Sequence, residues 1–233
     1  MRVDIWSDVV CPFCYIGKKR LEHVAAEAGI QLDIYWHSFE LDPQAPARHS
    51  NSNTERLAEK YGQSIEQTEQ MQRNIAQAAA SEGIEFNWQL ANSGNTFNAH
   101  RLIHLAQTQG LGNAAKEAFF KAYMSDGLAI GETEVIEKIA LNIGLTASDI
   151  QAVLSSDQYA DAVRNDEKIA HEQLKVTGVP FFVFDQRLAV SGAQPREVFL
   201  QVFEQLQQQA ESPATEHDAA ASCDADGCEI PKA

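Results

Sequence analysis

The feature that most constrains this chain is Cys11-Pro12-Phe13-Cys14, set between a short alternating run, Val3 to Asp8, and the start of a helical pattern. Two thiols separated by two residues close a disulfide without long-range rearrangement. At a helix N-terminus the first thiol meets unpaired amides and the positive end of the helix dipole, which favour its thiolate. The thiolate is the species that attacks disulfides. A CxxC pair between a strand and a helix therefore points to redox chemistry, with half of a zinc knuckle as the competing reading.

The flanking pattern extends this unit. Val3 and Ile5 alternate with polar residues as a half-buried strand does. After Cys11, Gly17, Leu21, Val24, Ala25 and Ala28 share one helix face, and Gly29 suits its end. Leu32, Ile34 and Trp36 alternate with Asp33, Tyr35 and His37, giving a second strand. This is a βαβ opening, and parallel pairing of its strands needs a right-handed crossover.

From about Pro43 to Lys175 the pattern is helical. Ser64 and Gln67 form a capping box before a helix bearing Met71, Ile75 and Ala78, with Gly83 as a stop. Thr96 begins a helix that Gly110 ends. Further helices are expected over 114–124, 134–142, 147–154 and 158–175, with cap-like spacing at Thr146 and Asp149. They are too numerous and too local to be strands of the opening sheet, and read as an inserted helical domain. The β pattern returns at Val179 to Phe184, turns tightly at Asp185-Gln186 and pairs with Leu188 to Ser191. Pro195 starts a last helix with Val198, Val202 and Leu206 inward. Beyond Ala210 the chain is small, polar and acidic, a composition that favours disorder, yet it holds Cys223 and Cys228.

The 233 residues allow one large domain or one domain with an insertion, and 44% apolar residues suffice for a sizeable core. A net charge of −15 argues against nucleic acid or an anionic membrane as the main partner. No apolar run approaches a membrane span. Met1-Arg2-Val3-Asp4-Ile5 enters a strand pattern directly, without the apolar stretch and cleavage site of a secretory signal. Unless a leader was removed, the expected location is the cytoplasm, where disulfides are transient and catalytic. The charge leaves the oligomeric state open.

A β-α-β half, a helical insertion and a β-β-α half make a thioredoxin fold with an insert. With Cys11-Pro12-Phe13-Cys14 on the first helix and Gly178-Val179-Pro180 before the third strand, the chain resembles the DsbA-like thioredoxin family, and more narrowly its cytoplasmic FrnE branch. Ser7-Asp8-Val9-Val10, Asn95-Thr96-Phe97-Asn98-Ala99-His100-Arg101, Thr177-Gly178-Val179-Pro180-Phe181-Phe182 and Ser191-Gly192-Ala193-Gln194 also carry the resemblance, which covers roughly 1–210. It implies an α/β thioredoxin fold with a large inserted all-helical domain and a flexible C-terminal tail. The thioredoxin-like part would be 1–42 and 176–210, the helical insert 43–175, and the acidic tail with its CX4C pair 211–233. The branch often has Trp where Phe13 stands, so a redox potential does not carry over.

The resemblance also implies residue roles. Cys11 is the attacking thiolate and Cys14 the resolving thiol. Pro12 suits the first helical turn, and with Phe13, between the two cysteines, it would tune the thiolate and bind substrate. Pro180 is implied to be cis, holding the Val179 backbone against the pair, where its N–H and C=O would bind an extended substrate chain. Asp8, three residues before Cys11, is a proton relay or a plain capping residue. His100 reads as a helix-surface or satisfied histidine. Lys18-Lys19-Arg20 reads as a solvated helix face, and Phe181–Phe184 as core strand. Nearby carboxylates disfavour thiolate at Cys223 and Cys228, so that pair is the poorer nucleophile. As a flexible coil the linker from Ala210 to Cys223 spans roughly 20 Å. That compares with an expected radius of gyration of about 17 Å. The tail could then shuttle oxidation to or from Cys11-Cys14, or be a floppy tail with incidental thiols.

The expected function is a thiol-disulfide oxidoreductase or isomerase acting on unfolded or oxidised proteins. No nicotinamide, flavin or haem motif appears, so the dithiol carries the electrons and a thiol reductant, with glutathione one possibility, returns them. No resident metal is expected. One alternative is a glutathione-dependent isomerase or oxidoreductase acting on a small aromatic or polyketide substrate. Hydroxychromene-carboxylate isomerases share this architecture but typically lack the cysteine pair. Another is a four-cysteine zinc site, which the distance in sequence and the acidic tail disfavour.

Overall fold

Every residue of strand β1 (Arg2–Ser7) after Arg2 is buried, although its sequence alternates. The reason is its place in the sheet, whose order is β2-β1-β3-β4. β2 (Asp33–Ser38) runs parallel to β1, with Ile5 opposite Trp36. β3 (Phe181–Phe184) runs antiparallel on its other side, with Ile5 opposite Phe182, and β4 (Leu188–Ser191) closes the hairpin. The computed structural model describes residues 1–211, so Cys223 and Cys228 and the relay expected of them lie outside the described residues.

Helix α1 (Pro12–Glu27) links β1 to β2. Its C-terminus is a Schellman turn: Gly29 takes φ +66° and the Ile30 N–H donates to Ala25 O. Gly17 is where α1 meets the sheet, since a Cβ there would lie 3.1 Å from both Phe182 and Pro180. The hairpin turn places Asp185 and Gln186 at φ +47° and +57°, matching the strand twist. The Asp185 carboxylate accepts from the Arg2 N–H at 2.7 Å.

Seven α-helices fall between β2 and β3: α2 (Asn53–Tyr61), α3 (Ile65–Ala80), α4 (Phe97–Thr108), α5 (Gly112–Met124), α6 (Thr133–Asn142), α7 (Ala147–Leu154) and α8 (Ala160–Lys168). The Ser64–Gln67 capping box is present, and the Thr146 hydroxyl accepts from the Asp149 N–H. α2 carries a capping box of its own, Ser52 with Glu55, which the sequence reading did not single out. The single helix expected over 158–175 is instead α8 followed by a π-helical turn, Ile169–Gln173. The wider turn leads Ala170 and Val176 into a small cluster with Trp6 and Phe39. The main core is continuous from the sheet into the insert, running from Phe182 and Phe184 through Trp36 to Leu102, Phe119 and Phe120.

On α9 (Arg196–Glu211) the inward stripe is Phe199, Phe203 and Leu206, with Val198 and Val202 only half-buried. The phenylalanines reach the rings of Phe182 and Phe184, and that edge-to-face packing sets the rotation of the helix. Ala28, expected inward on α1, is exposed. Lys18 is not solvated either. Its ammonium is buried and held at 2.8 Å by Glu22 and 2.6 Å by Glu117. Arg20 donates to Glu82 at 2.9 Å and to Ala193 O at 2.7 Å.

Asp4 of β1 is buried where α8 brings Asp166 against the sheet. The Asp166 carboxylate takes His37 Nδ1 at 2.8 Å, the Ser38 N–H at 2.8 Å and His104 Nε2 at 3.0 Å. His37 Nε2 reaches Asp4 at 2.9 Å. Burial alone would raise the Asp166 carboxyl, but His104, His37 and the Ser38 amide hold it well below the usual range. Burial would lower His37, but Asp166 and Asp4 raise it above its ordinary value. Asp166 therefore contributes stability above the ordinary carboxylate range that is lost as pH falls through its depressed pKa. His37 contributes stability below about 6.5 that is lost as pH rises through its elevated pKa. Asp166→Ala is expected to cost about 3–5 kcal/mol at pH 5.5. Urea midpoints on either side of that pH check the sign: the variant's loss should shrink towards acid and, more gently, towards alkali.

Candidate active site

Cys11 is the N-cap of α1 and Pro12 its first residue, so a missing N–H falls where no intrahelical partner exists. The Cys11 N–H donates to Asp8 O at 3.2 Å, and the Cys14 N–H to Cys11 O at 3.1 Å. These bonds wind Asp8 to Cys14 into a tight turn at the sheet's end. Both thiols are free and buried. The Cys11 thiol donates to Val179 O at 3.6 Å, across from the segment before β3. The Val179-Pro180 bond is cis, as the resemblance implied. Phe13 points outward and is 46% exposed. The structure thus brings Cys11, Cys14, Pro12, Phe13 and Val179 to one place.

A cavity of about 710 Å³ opens beside Cys11. Pro12, Phe13, Gly178 and Val179 line one part of it, and α2, α3 and the segment before α4 line the rest. Gly94 keeps that segment close to the 43–47 loop, since a Cβ there would clash with Ala47 O. Asn95 ties the same loop down, its N–H to Pro46 O at 2.9 Å and its Nδ2 to Pro43 O at 3.2 Å. Arg101 of the same motif is spent on structure, donating to carbonyls of Val153, Ser156 and Gln158.

Near the cysteines lies a buried polar group. Asp8 is 1% exposed, one oxygen accepting from the Leu41 N–H at 2.7 Å and the other 3.4 Å from His100 Nε2. His100 is therefore buried, not on the helix surface. Burial would raise Asp8, but His100, the Leu41 amide and Lys116 keep it below its ordinary value, and so ionised. Burial lowers His100, which stays neutral at neutral pH. Lys116 of α5 is wholly buried; its ammonium donates to Ser7 O at 3.1 Å and lies over the Trp36 and Phe120 rings at 5.2 and 5.4 Å. Burial brings Lys116 down to about 8, against the attraction of Cys14, Asp8 and Cys11. Cys14 moves the other way: burial and Cys11 push its thiol well up, with Lys116 and a backbone contact to Asp8 opposing. Glu40, beside Leu41, is pushed up to about 7 by burial, Glu167 and Asp8.

These groups can do one kind of chemistry. Cys11 faces a cavity with Cys14 behind it, and a buried cation acts on the less accessible thiol. The DSBA-like thioredoxin domain matches residues 2–204, nearly all of what the structure describes. The chain belongs to this family. It is 39% identical to a probable DsbA oxidoreductase from Streptomyces coelicolor, with all of both chains covered and a TM-score of 0.84. The cytosolic disulfide reductase DsbM from Pseudomonas aeruginosa, solved with GSH, superimposes at TM-score 0.64, with 18% identity over 89% of this chain and all of that one. A 2-hydroxychromene-2-carboxylate isomerase gives 0.65 and 18%, covering 90% of this chain and 98% of its own. At that identity the last two show the shared fold.

The family's thioredoxin fold carries a cation here that the sequence reading missed. Lys116 shares a helix stripe with Phe119, Phe120 and Tyr123, and a lysine on an apolar stripe was the available signal. Among the described residues no group of three or more His, Cys, Asp or Glu side chains is arranged to hold a metal ion. Among them, too, no helix is long and apolar enough to cross a membrane.

Proposed function

We propose that this DsbA-like oxidoreductase exchanges disulfides with protein substrates through Cys11 and Cys14. The observation that carries the reading is Cys11 at the N-cap of α1, its sulfur 3.6 Å from Val179 O and beside an open cavity. The positive end of α1 favours the negative sulfur at this position. Cys11 S⁻ attacks a substrate disulfide, the S–S bond breaks, and one substrate thiolate leaves. A Cys11–substrate disulfide remains. Cys14, deprotonated, attacks Cys11 sulfur and expels the second substrate thiolate. The substrate has gained two electrons and the pair has lost two. Protons from the Cys thiols pass to the leaving thiolates through solvent. Run backwards, the same steps oxidise a dithiol; if another substrate thiolate attacks the mixed disulfide before Cys14 does, a new substrate disulfide forms, Cys11 leaves as thiolate and the substrate is isomerised.

The Val179 backbone is the proposed binding edge for an extended substrate, with Pro12 and exposed Phe13 beside it. Asp8 acts as a charged neighbour of the pair. No further cofactor is needed, and a thiol reductant, glutathione included, regenerates the dithiol. Substrates are unfolded or oxidised proteins in the cytoplasm, and nucleic acid and membrane are not partners. The FrnE-type assignment belongs with this proposal, as does a relay from Cys223-Cys228. The cavity's apolar lining, Leu57, Met71, Ile75 and Phe86, favours one second reading, a glutathione-dependent reaction on a small aromatic or polyketide substrate.

The test is reduction of insulin disulfides with glutathione or dithiothreitol as the electron source. Wild type is expected to accelerate it, and Cys223→Ser/Cys228→Ser to slow it with one reductant more than the other if the tail relays. Equal rates would make the tail incidental. Failure on insulin with turnover of small aromatic glutathione adducts would replace the first reading by the second.

A further inference from the structure

The cavity beside Cys11 carries a polar set that disulfide exchange does not use. Gln72 of α3 lines it and is 1% exposed. The Thr54 hydroxyl donates to Gln72 Oε1 at 2.8 Å, which fixes the amide. Nε2 then has no partner among the described residues. Arg56 of α2 also lines the cavity. One guanidinium nitrogen donates to Ser93 Oγ, and the nearest carboxylate, Asp42, stands 4.0 Å from another. Ser93 in turn donates to Asn53 Oδ1 at 3.2 Å. The unused capacity of Arg56 and Gln72 is therefore all donor, and one donor is charged.

The surroundings narrow the ligand. Leu57, Met71, Ile75 and Phe86 line the same cavity. Apolar walls strengthen a charged hydrogen bond and suit a ligand with an apolar body. Arg presents a planar fork that matches a carboxylate. Lys60 also lines the cavity but is exposed, so Arg56, partly offset by Asp42, is the half-buried cation that offers this fork. We propose that Arg56 and Gln72 form a carboxylate-recognition subsite, so that the preferred exchange partner carries an acid on an apolar body near its disulfide. The proposal rests on the exchange reading of Cys11. The acid is either part of a small organic disulfide or an acidic side chain beside a peptide disulfide.

The experiment compares the rate of the reduced protein with dithiobis(nitrobenzoate), an aromatic disulfide bearing carboxylates, against neutral dithiodipyridine. In each case Cys11 S⁻ attacks, one aromatic thiolate leaves, and Cys14 closes the protein disulfide with release of the second. The quantity read is the ratio of the two rates, which cancels changes in thiol reactivity. Arg56→Met is expected to lower the ratio at least about tenfold, the usual weight of a lost charged hydrogen bond. Gln72→Glu, nearly isosteric and still able to accept from Thr54, should lower it as far. Arg73→Met removes the same charge from the exposed surface of α3 and should leave the ratio alone. Equal ratios in wild type, Arg56→Met and Gln72→Glu would overturn the subsite while leaving exchange intact. An equal drop in Arg73→Met would also overturn it, in favour of long-range steering. No reaction of wild type with either probe would overturn the exchange reading and the subsite with it. A parallel arm uses peptide disulfides with glutamate or glutamine beside the cysteine. An Arg56-dependent preference for glutamate assigns the acid to a polypeptide, and a preference confined to the nitrobenzoate assigns it to a free small acid.

Discussion

Cys11→Ser is expected to abolish disulfide exchange, and Cys14→Ser to turn a catalyst into a stoichiometric trap. The two thiols look alike in the sequence but differ in position. Cys11 sulfur faces Val179 O and the cavity, where a substrate disulfide can reach it. Cys14 is 1% exposed and reaches the outside only through Cys11. A serine hydroxyl at position 11 is not ionised near neutral pH, so the first attack should fall by at least about a thousandfold. With serine at position 14 the first attack still proceeds. The resulting Cys11–substrate disulfide then lacks its internal thiol and persists until an outside thiol enters the cavity. Mass spectrometry after mixing the reduced variant with an excess of substrate disulfide should find one substrate thiol per chain, removable by dithiothreitol. Full activity of Cys11→Ser would sink the assignment of the pair. Absence of the adduct in Cys14→Ser would reverse the order of the two thiols.

What could be read from the sequence was what local interactions decide. The strand, Cys11 and α1 follow from alternation, a proline at the first helical position and a glycine in the left-handed region after the last turn. The Asp185-Gln186 turn and the bounds of α7 are equally local. Pairing of β1 between two strands is not local, so Asp4 reads as solvent-facing although α8 reaches it through His37, and Ser7, on the other face, lies under Lys116 of α5. Neighbouring residues on α9, Val198 and Phe199, lie about 100° apart, so either could head the inward stripe. Packing on the Phe182 and Phe184 rings decided for Phe199. The cysteine site was plain from its spacing. The groups that set its electrostatics come from α4 and α5 and from the stretch between strand and helix. Lys116, Gln72 and Asp166 all sit at core-facing positions of their helices, and a polar residue on such a stripe is the mark that sequence reading can use. Which site each one serves depended on how the helices pack around the sheet.

Lys116→Met is expected to move activity and stability in opposite directions. A folded pKa of about 8, below the ordinary lysine value of 10.5, means that folding disfavours the charged ammonium. The unfolded chain binds the proton more tightly, so this lysine lowers stability fully below about pH 8, and the penalty fades as pH rises towards about 10.5. At about 1.4 kcal/mol per unit the penalty near pH 7 is at most about 3–4 kcal/mol. Losing the bond to Ser7 O and the attraction to Asp8 offsets part of it. The variant should therefore be more stable than wild type by about 1–2 kcal/mol at pH 7, with the gain shrinking in alkali. Catalysis should suffer, because Cys14 must become a thiolate to release substrate while burial and Cys11 hold its thiol up. Lys116 is a positioning charge in this account, favouring that thiolate without touching substrate. Resolution of the mixed disulfide should slow at least about tenfold at pH 7, and its pH profile should shift to higher pH. Single-turnover release measured across pH separates this from a packing role. A core residue without electrostatic influence would change the amplitude or the melting point and leave the midpoint of the profile in place.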